Sequence, residues 1–444
     1  MVGDRPIRQE GQARHPLLAA EYDNMLRCIR CGLCLAVCPT YQETFHEAES
    51  PRGRIAIARA YAEGHLDLSA DLWAHEESCL LCEACTAVCP ADVHMEEIGV
   101  ALRAAVVGAL QATPLRRPRR QTLALRLAFD YLFADMRRFR MAAGLAGLYR
   151  RSGAQALARR SGLLRLLGLQ RAESFLPAIT GPFLVPEGQV WSPDGAVQRR
   201  VALFAGCVMS TAFAEIDRAT ARVLAANGCL VVAVPGQGCC GALHVHNGEL
   251  AGAAALARRN VDAFADLDVD AIVVNAAGCG ATLKQYGHLL AADPAYATGA
   301  AAMAAKVRDV TEFLAGIDLN RRLGEISATV TYQEPCHLAH AQRVQAAPRT
   351  LLRAIPGLRL VEMAEADLCC GSAGIYNLTA PEMSEALMRR KVANALATGA
   401  DLIVSANPGC MLQLKAGLQA AGANLPVKHI VELLDEAYQK AKDR

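Results

Sequence analysis

The sequence predicts a multidomain chain of mixed α+β and α/β class: a helical N-terminal domain wound around cysteines, then a duplicated α/β domain with parallel sheets. Three observations predict it. Two four-cysteine runs of identical spacing lie 51 residues apart near the N-terminus. In the C-terminal half, apolar strand-like runs alternate with helix-like ones, the pattern of parallel sheets covered by helices. That pattern occurs twice, at offsets of 129, 130 and 131 residues between matching cysteines, which argues for duplication of one unit. The expected boundaries are 1–112 for the helical domain, 113–198 for a basic linker region, and 199–325 and 326–444 for the two repeats.

The first run is Cys28, Cys31, Cys34 and Cys38 followed by Pro39; the second is Cys79, Cys82, Cys85 and Cys89 followed by Pro90. C-x2-C-x2-C-x3-C-P is the bacterial ferredoxin spacing for 4Fe–4S clusters. Three cysteines on a tight loop reach one cluster face, and the fourth points away toward the other cluster. The spacing therefore assigns Cys28, Cys31, Cys34 and Cys89 to one cluster, and Cys79, Cys82, Cys85 and Cys38 to the second. Structural zinc uses pairs of C-x2-C rather than a triple plus a fourth cysteine before proline, so two 4Fe–4S clusters are the better reading.

Composition narrows the class. Of 444 residues 53% are hydrophobic and 20% charged, enough to bury a core, and a net charge of +2 carries no nucleic-acid signature. Seventeen cysteines in clusters of ligand-like spacing, in a chain this long, point to a reducing cytoplasm rather than to disulfides. Residues 1–20 lack the apolar core of a secretory signal. No uninterrupted apolar run reaches 18 residues, so no transmembrane helix is expected. Membrane contact would be peripheral, at the cytoplasmic face of the inner membrane.

Along the chain, short helices over 21–27 and 72–77 lead into the cysteine loops, and one over 95–112 closes the domain. Ser50 and Pro51 read as a helix start. Arg52 and Arg54 just after it sit either near a cluster or in a solvated first turn. From Arg116 to Arg171 there are 14 arginines, no lysine, and only Asp130 and Asp135 as acids. Leucines recur there at helical spacing (Leu123, Leu125, Leu127, Leu132, and 163–169). Such a stretch either lies on an anionic membrane or, the favoured reading, packs linker helices on the domains with arginines in water. The Pro- and Gly-rich 177–193 reads as an extended linker.

Each repeat then places its cysteines just after strands, where ligands gather in parallel sheets. The first copy has Cys207, Cys239, Cys240 and Cys279 after strands at 201–205, 229–234 and 271–274. The second has Cys336, Cys369, Cys370 and Cys410 after strands at 329–332, 359–363 and 401–404. Four converging thiols per copy favour a further metal or iron–sulfur site. Buried thiols, a redox disulfide and zinc remain as alternatives. Arg258-Arg259-Asn260-Val261 finds its echo in Arg389-Arg390-Lys391-Val392. Cys229 falls outside the pattern as a core cysteine. His244, His246, His337 and His340 flank these sites, as proton relays or as hydrogen-bonding neighbours. No G-x-G-x-x-G fingerprint follows a strand, and no nucleophile–base pair stands out, so no catalytic residue is assigned.

Two ferredoxin runs followed by two CCG repeats resemble the glycolate oxidase (glycolate dehydrogenase) iron–sulfur subunit family over nearly the full chain. The resemblance includes Pro51-Arg52-Gly53-Arg54-Ile55, Gly238-Cys239-Cys240-Gly241, Gly278-Cys279-Gly280 with Lys284-Gln285-Tyr286-Gly287, and Cys369-Cys370-Gly371-Ser372-Ala373-Gly374-Ile375-Tyr376. It implies an electron-transfer subunit of an oxidoreductase complex. FAD-containing partners would take two electrons from glycolate, giving glyoxylate, and this chain would pass them singly to the respiratory chain, at a quinone. The CCG repeats also belong to a wider group that includes lactate-utilisation proteins, the anaerobic glycerol-3-phosphate dehydrogenase anchor and heterodisulfide reductase subunits. The alternatives are therefore a D-lactate or glycerol-3-phosphate dehydrogenase subunit, or a stand-alone cluster-bearing carrier or sensor.

Overall fold

The computed structural model describes residues 15–112, 127–179 and 181–442. The chain divides into two compact units, Met1–Arg119 with Val245–Leu250, and Arg120–His244 with Ala251–Arg444.

The described part of the first unit is helical. Helices Pro16–Ala20, Tyr22–Leu26, Pro51–Glu63, Ala70–Glu77 and Met95–Ala112 surround a core that includes Leu18, Met25, Ile55, Leu72, Ile98 and Leu102. The Pro51–Glu63 helix starts as the sequence predicts: the Ser50 side chain accepts from Gly53 N, and Pro51 fills the first turn. At its far end Gly64 takes a left-handed φ of 77°.

The two arginines of that helix part company. Arg52 pairs with Glu47 near the surface at 2.6 Å. Arg54 is 2% exposed. Its guanidinium donates to Glu49 Oε2 at 2.6 Å, to Ser78 Oγ at 2.6 Å, to Thr40 Oγ1 at 3.1 Å and to His75 O at 3.0 Å. Thr40 follows Cys38 by two residues and Ser78 precedes Cys79, so Arg54 ties the two cysteine runs together. Arg54→Ala takes the guanidinium from the largely buried Glu49, leaving it with His75 Nδ1 at 2.6 Å. It is expected to cost about 3–5 kcal/mol, read as a lowered denaturation midpoint. Arg54→Lys keeps the charge without the planar fork and should recover only part of that loss.

The second unit holds two sheets. In the first, strands β1 (Val190–Trp191), β2 (Arg199–Phe204), β3 (Cys229–Ala233), β4 (Ala271–Val274) and β5 (Val307–Asp309) lie in the order β1-β3-β2-β4-β5. Only β1 runs antiparallel, pairing Val190 with Val232. In the second, β6 (Ala328–Tyr332), β7 (Leu358–Val361), β8 (Leu402–Ser405) and β9 (Val427–His429) lie in the order β7-β6-β8-β9, all parallel. Setting β1 aside, the two sheets have one topology.

Two details correct the sequence reading. The stretch 177–193 is not all linker, because β1 adds an edge strand there. Each repeat also has a fourth strand, β5 or β9, whose three residues are too few to show an apolar period. Helices Val310–Ala315 and Ile430–Lys442 follow these strands directly. Asp309 and Glu312 close a capping box on the first.

The repeats share a core. Val201, Leu203, Val231 and Val273 of the first cluster with Val330, Tyr332, Val404 and Leu434 of the second. At its rim Arg222 Nη2 meets Asp435 Oδ2 at 2.7 Å, and Asn227 Nδ2 donates to Tyr438 OH at 3.0 Å. His429 joins the copies: Nε2 lies 2.9 Å from Asn275 O, and Nδ1 accepts from Val431 N at 3.2 Å. Both ring nitrogens are thus used by the neutral form, and burial pulls its pKa down to about 4.

The arginine-rich region meets the expectation of a packed linker in part: Arg151, Arg159, Arg160 and Arg165 are exposed to water, but not every apolar residue is packed. Its described part forms helices Met136–Arg151, Ala154–Arg160, Leu163–Leu166 and Gln170–Ser174. Leu145, Leu148, Leu157, Leu166, Leu167 and Leu169 are exposed rather than packed. Met136 is buried in the core of the first repeat, with Phe133 and Phe139 packed against it. Polar contacts add to this: Arg150 donates to Leu176 O at 2.9 Å, and Arg171 to Asn377 O at 2.6 Å. Leu123 and Leu125 lie outside the described residues. Among the described residues no helix is long and apolar enough to cross a membrane.

Candidate metal centres

The two cysteine loops share an unusual backbone. Arg30 and Gly32 take left-handed φ values of 57° and 85°; the matching Leu81 and Glu83 take 49° and 59°. A non-glycine residue there costs roughly 1–2 kcal/mol, and three of the four positions bear that cost. Alternating handedness turns successive N–H groups to one side, making a concavity suited to an anionic group such as a thiolate-ligated cluster. The strain is thus explained if the loops wrap something.

They line two hollows. One is lined by Cys28, Cys31, Cys34 and Cys89, with Cys85 also at its wall. The other is lined by Cys38, Cys79, Cys82 and Cys85. The fourth cysteine of each run therefore lines the other run's hollow. Helix Pro39–Thr44, starting directly after Cys38, carries the chain away from its own loop. Arg52 and Ile55 also line the first hollow, and Arg54 the second. Burial pushes the Cys85 thiol well above its ordinary range, and the nearby Cys79, Cys38 and Cys34 add to this. Four converging thiolates would repel one another, most strongly in the second hollow, where Cys38 and Cys82 are buried, and iron would supply the compensating charge. The donor set and its surroundings fit iron–sulfur clusters.

The repeats gather their cysteines at the strand ends. In the first, Cys207 Sγ lies 3.6 Å from Cys239 Sγ, and Cys240 Sγ 3.2 Å from Cys279 Sγ. In the second, Cys336 Sγ lies 4.0 Å from Cys369 Sγ, and Cys370 Sγ 3.3 Å from Cys410 Sγ. No disulfide joins any of them. Hydrogen bonds with Cys239 and Cys279, then burial, hold the Cys240 thiol well above its ordinary range. Gly371 turns the second loop at φ 81°, where a Cβ would come within 2.6 Å of Ser384 O. Cys229 stands apart on β3, fully buried, and burial raises its thiol to about 11.

The four histidines do not act alike. His337 Nδ1 lies 3.4 Å from Cys336 Sγ. His340 Nε2 meets Asp367 O at 3.1 Å, and His244 Nε2 meets Phe129 O at 3.2 Å. His246 belongs to the first unit, where Arg103 donates to its carbonyl at 2.6 Å and burial pulls its ring down to about 4.

Sequence reasoning missed the residues that hold the CC loops. Asn260 Nδ2 donates to Cys239 O at 2.9 Å, Tyr286 OH donates to Cys240 O at 2.8 Å, and Lys391 holds the loop of the second copy. Their signal was present in the echo of Arg-Arg-Asn-Val by Arg-Arg-Lys-Val and in Lys-Gln-Tyr-Gly.

Comparison with known proteins accords with this geometry. Residues 24–93 match the 4Fe-4S dicluster domain family, and residues 201–284 and 330–415 the cysteine-rich domain family. Residues 120–176 match the linker region of the glycolate oxidase iron-sulfur subunit. A probable glycolate oxidase iron-sulfur subunit of Bacillus subtilis is 42% identical, covering 93% of this chain and 94% of its own. The glycolate oxidase iron-sulfur subunit of Escherichia coli is 31% identical, covering 97% and 98%. Lactate utilization protein A of Shouchella clausii is 31% identical but covers only 53% of this chain.

Proposed function

Since the chain belongs to the family of glycolate oxidase iron–sulfur subunits, we infer that it is the electron conduit between the FAD-bearing subunits of a glycolate dehydrogenase and a quinone. The observation that carries this is the pair of similar cysteine-lined hollows within one small unit. Cys28, Cys31, Cys34 and Cys89 hold one 4Fe–4S cluster; Cys38, Cys79, Cys82 and Cys85 hold the other. Each cluster, when bound, accepts and gives up one electron at a time. The chain's own residues do the rest. The loops aim backbone N–H groups at the sulfurs, Arg54 fixes the two runs at one separation, and the apolar lining limits water.

The eight cysteines of the repeats hold further redox groups on the way to the acceptor. The arginine-rich region, with its exposed leucines, rests on the anionic face of the inner membrane, where quinone resides. In the purified complex, glycolate should reduce a short-chain quinone only when this chain is present; without it the partners' FAD is still reduced. Undiminished quinone reduction by the partners alone would refute the conduit.

A further inference from the structure

The CC loop of each repeat is held from behind by one helix, and the holding residue differs in charge. In the first repeat it is Asn260, on helix Leu250–Phe264. Its Oδ1 accepts from Gly238 N at 2.8 Å and its Nδ2 donates to Cys239 O at 2.9 Å. The matching residue on helix Pro381–Ala397 is Lys391, whose Nζ donates to Ala366 O at 3.2 Å and also to Glu365 O. Both side chains are 0% exposed. A neutral amide backs one cysteine site and an ammonium backs the other.

The surrounding charges do not cancel this difference. Glu365 is paired with Arg390, and Asp367 is exposed to water, which screens it. On the first repeat Arg259 is exposed and spends its Nε on Gly236 O. Burial lowers the proton affinity of Lys391, while Cys370, Cys369, Asp367 and Cys410 oppose that lowering, and Ala366, whose carbonyl Lys391 holds, lies three residues before Cys369.

We propose that Lys391 makes the cysteine site of the second repeat the stronger electron acceptor of the two, and so the site from which electrons leave the chain. Reduction adds one negative charge and moves no atoms; the electron is the one released by substrate oxidation on the partner subunits. A fixed cation in a dry interior stabilises that added charge, and net charge is one of the levers that set cluster potentials. The inference rests on the reading that both repeats hold redox-active iron–sulfur groups.

The test is an EPR-monitored redox titration of the anaerobically purified complex. Cys279→Ser and Cys410→Ser identify the signals of the first and second repeats. In the unmodified protein the second-repeat signal should have the higher midpoint potential. Lys391→Gln should cut that site's share of electrons at least tenfold, a fall of about 59 mV for a one-electron couple. Lys391→Arg should restore it, and the dicluster signals, unmoved in both variants, report intact folding. A second-repeat potential no higher than the first in the unmodified protein overturns the proposal without any Lys391 variant. An unmoved potential in Lys391→Gln, with both signals present, overturns it and leaves the reading of the repeats intact. If neither cysteine variant removes a signal, that reading fails and the proposal with it.

Discussion

With Cys31 or Cys82 replaced by serine, glycolate-dependent dye reduction by the assembled complex falls to background while the partner subunits keep their FAD. The reason lies in ligand chemistry. Iron–sulfur clusters are held by soft thiolates, and a serine hydroxyl offers a harder oxygen that ionises far less readily. The two positions test different hollows, Cys31 at the wall of the first and Cys82 at the wall of the second. They also differ in setting: Cys31 is exposed and Cys82 buried, so a shared loss of activity would not come from a shared loss of packing. Loss of more than about 100-fold is expected, beyond the 10–100-fold typical of removing a group that only supports a ligand. Flavin absorbance checks the partners in the same sample. If both variants retain full dye reduction, electrons do not pass through these sites.

Cys239→Ser combined with Cys369→Ser separates the repeats from the dicluster domain. The double variant removes one sulfur from each CC pair, at sites where neighbouring sulfurs stand 3.6 Å and 4.0 Å away. Iron and acid-labile sulfide should drop from about twelve to sixteen per chain to about eight, the content of two four-iron clusters. Quinone-linked activity should be lost while dye reduction at the dicluster domain survives. Cys229→Ser is the control, because that thiol contacts a backbone carbonyl and no other cysteine. About eight irons in the unmodified protein, with full quinone activity in the double variant, would make the CCG cysteines structural.

Much of this was legible in the chain because cysteine spacing is a strong local signal. Three thiols within seven residues can meet only by wrapping a loop, and a proline after the fourth forces the chain out of it. The duplicated sheet was legible for a similar reason. Buried parallel strands are apolar runs, and the steady offset between the copies located each of the longer ones twice. The strands that went unread, β1, β5 and β9, have two or three residues each. In the arginine-rich helices an apolar period says which residues share a face, and not what that face meets: Met136 packs on the first repeat while Leu145 and Leu157 are exposed.

Sequence therefore determined the chemistry available to this protein: which thiols exist, how they are spaced, and that one α/β unit was copied. Tertiary structure alone decided what surrounds each thiol. Arg54, equally at home in a solvated helix turn, is drawn inside because Glu49, Ser78 and Thr40 converge there from three segments. Lys391 and Asn260 occupy one place in the repeat, yet only folding puts both in the dry interior behind a CC loop. Burial removes the water that would otherwise screen a charge, so the same lysine that is ordinary on a surface becomes a determinant of electron affinity in the core.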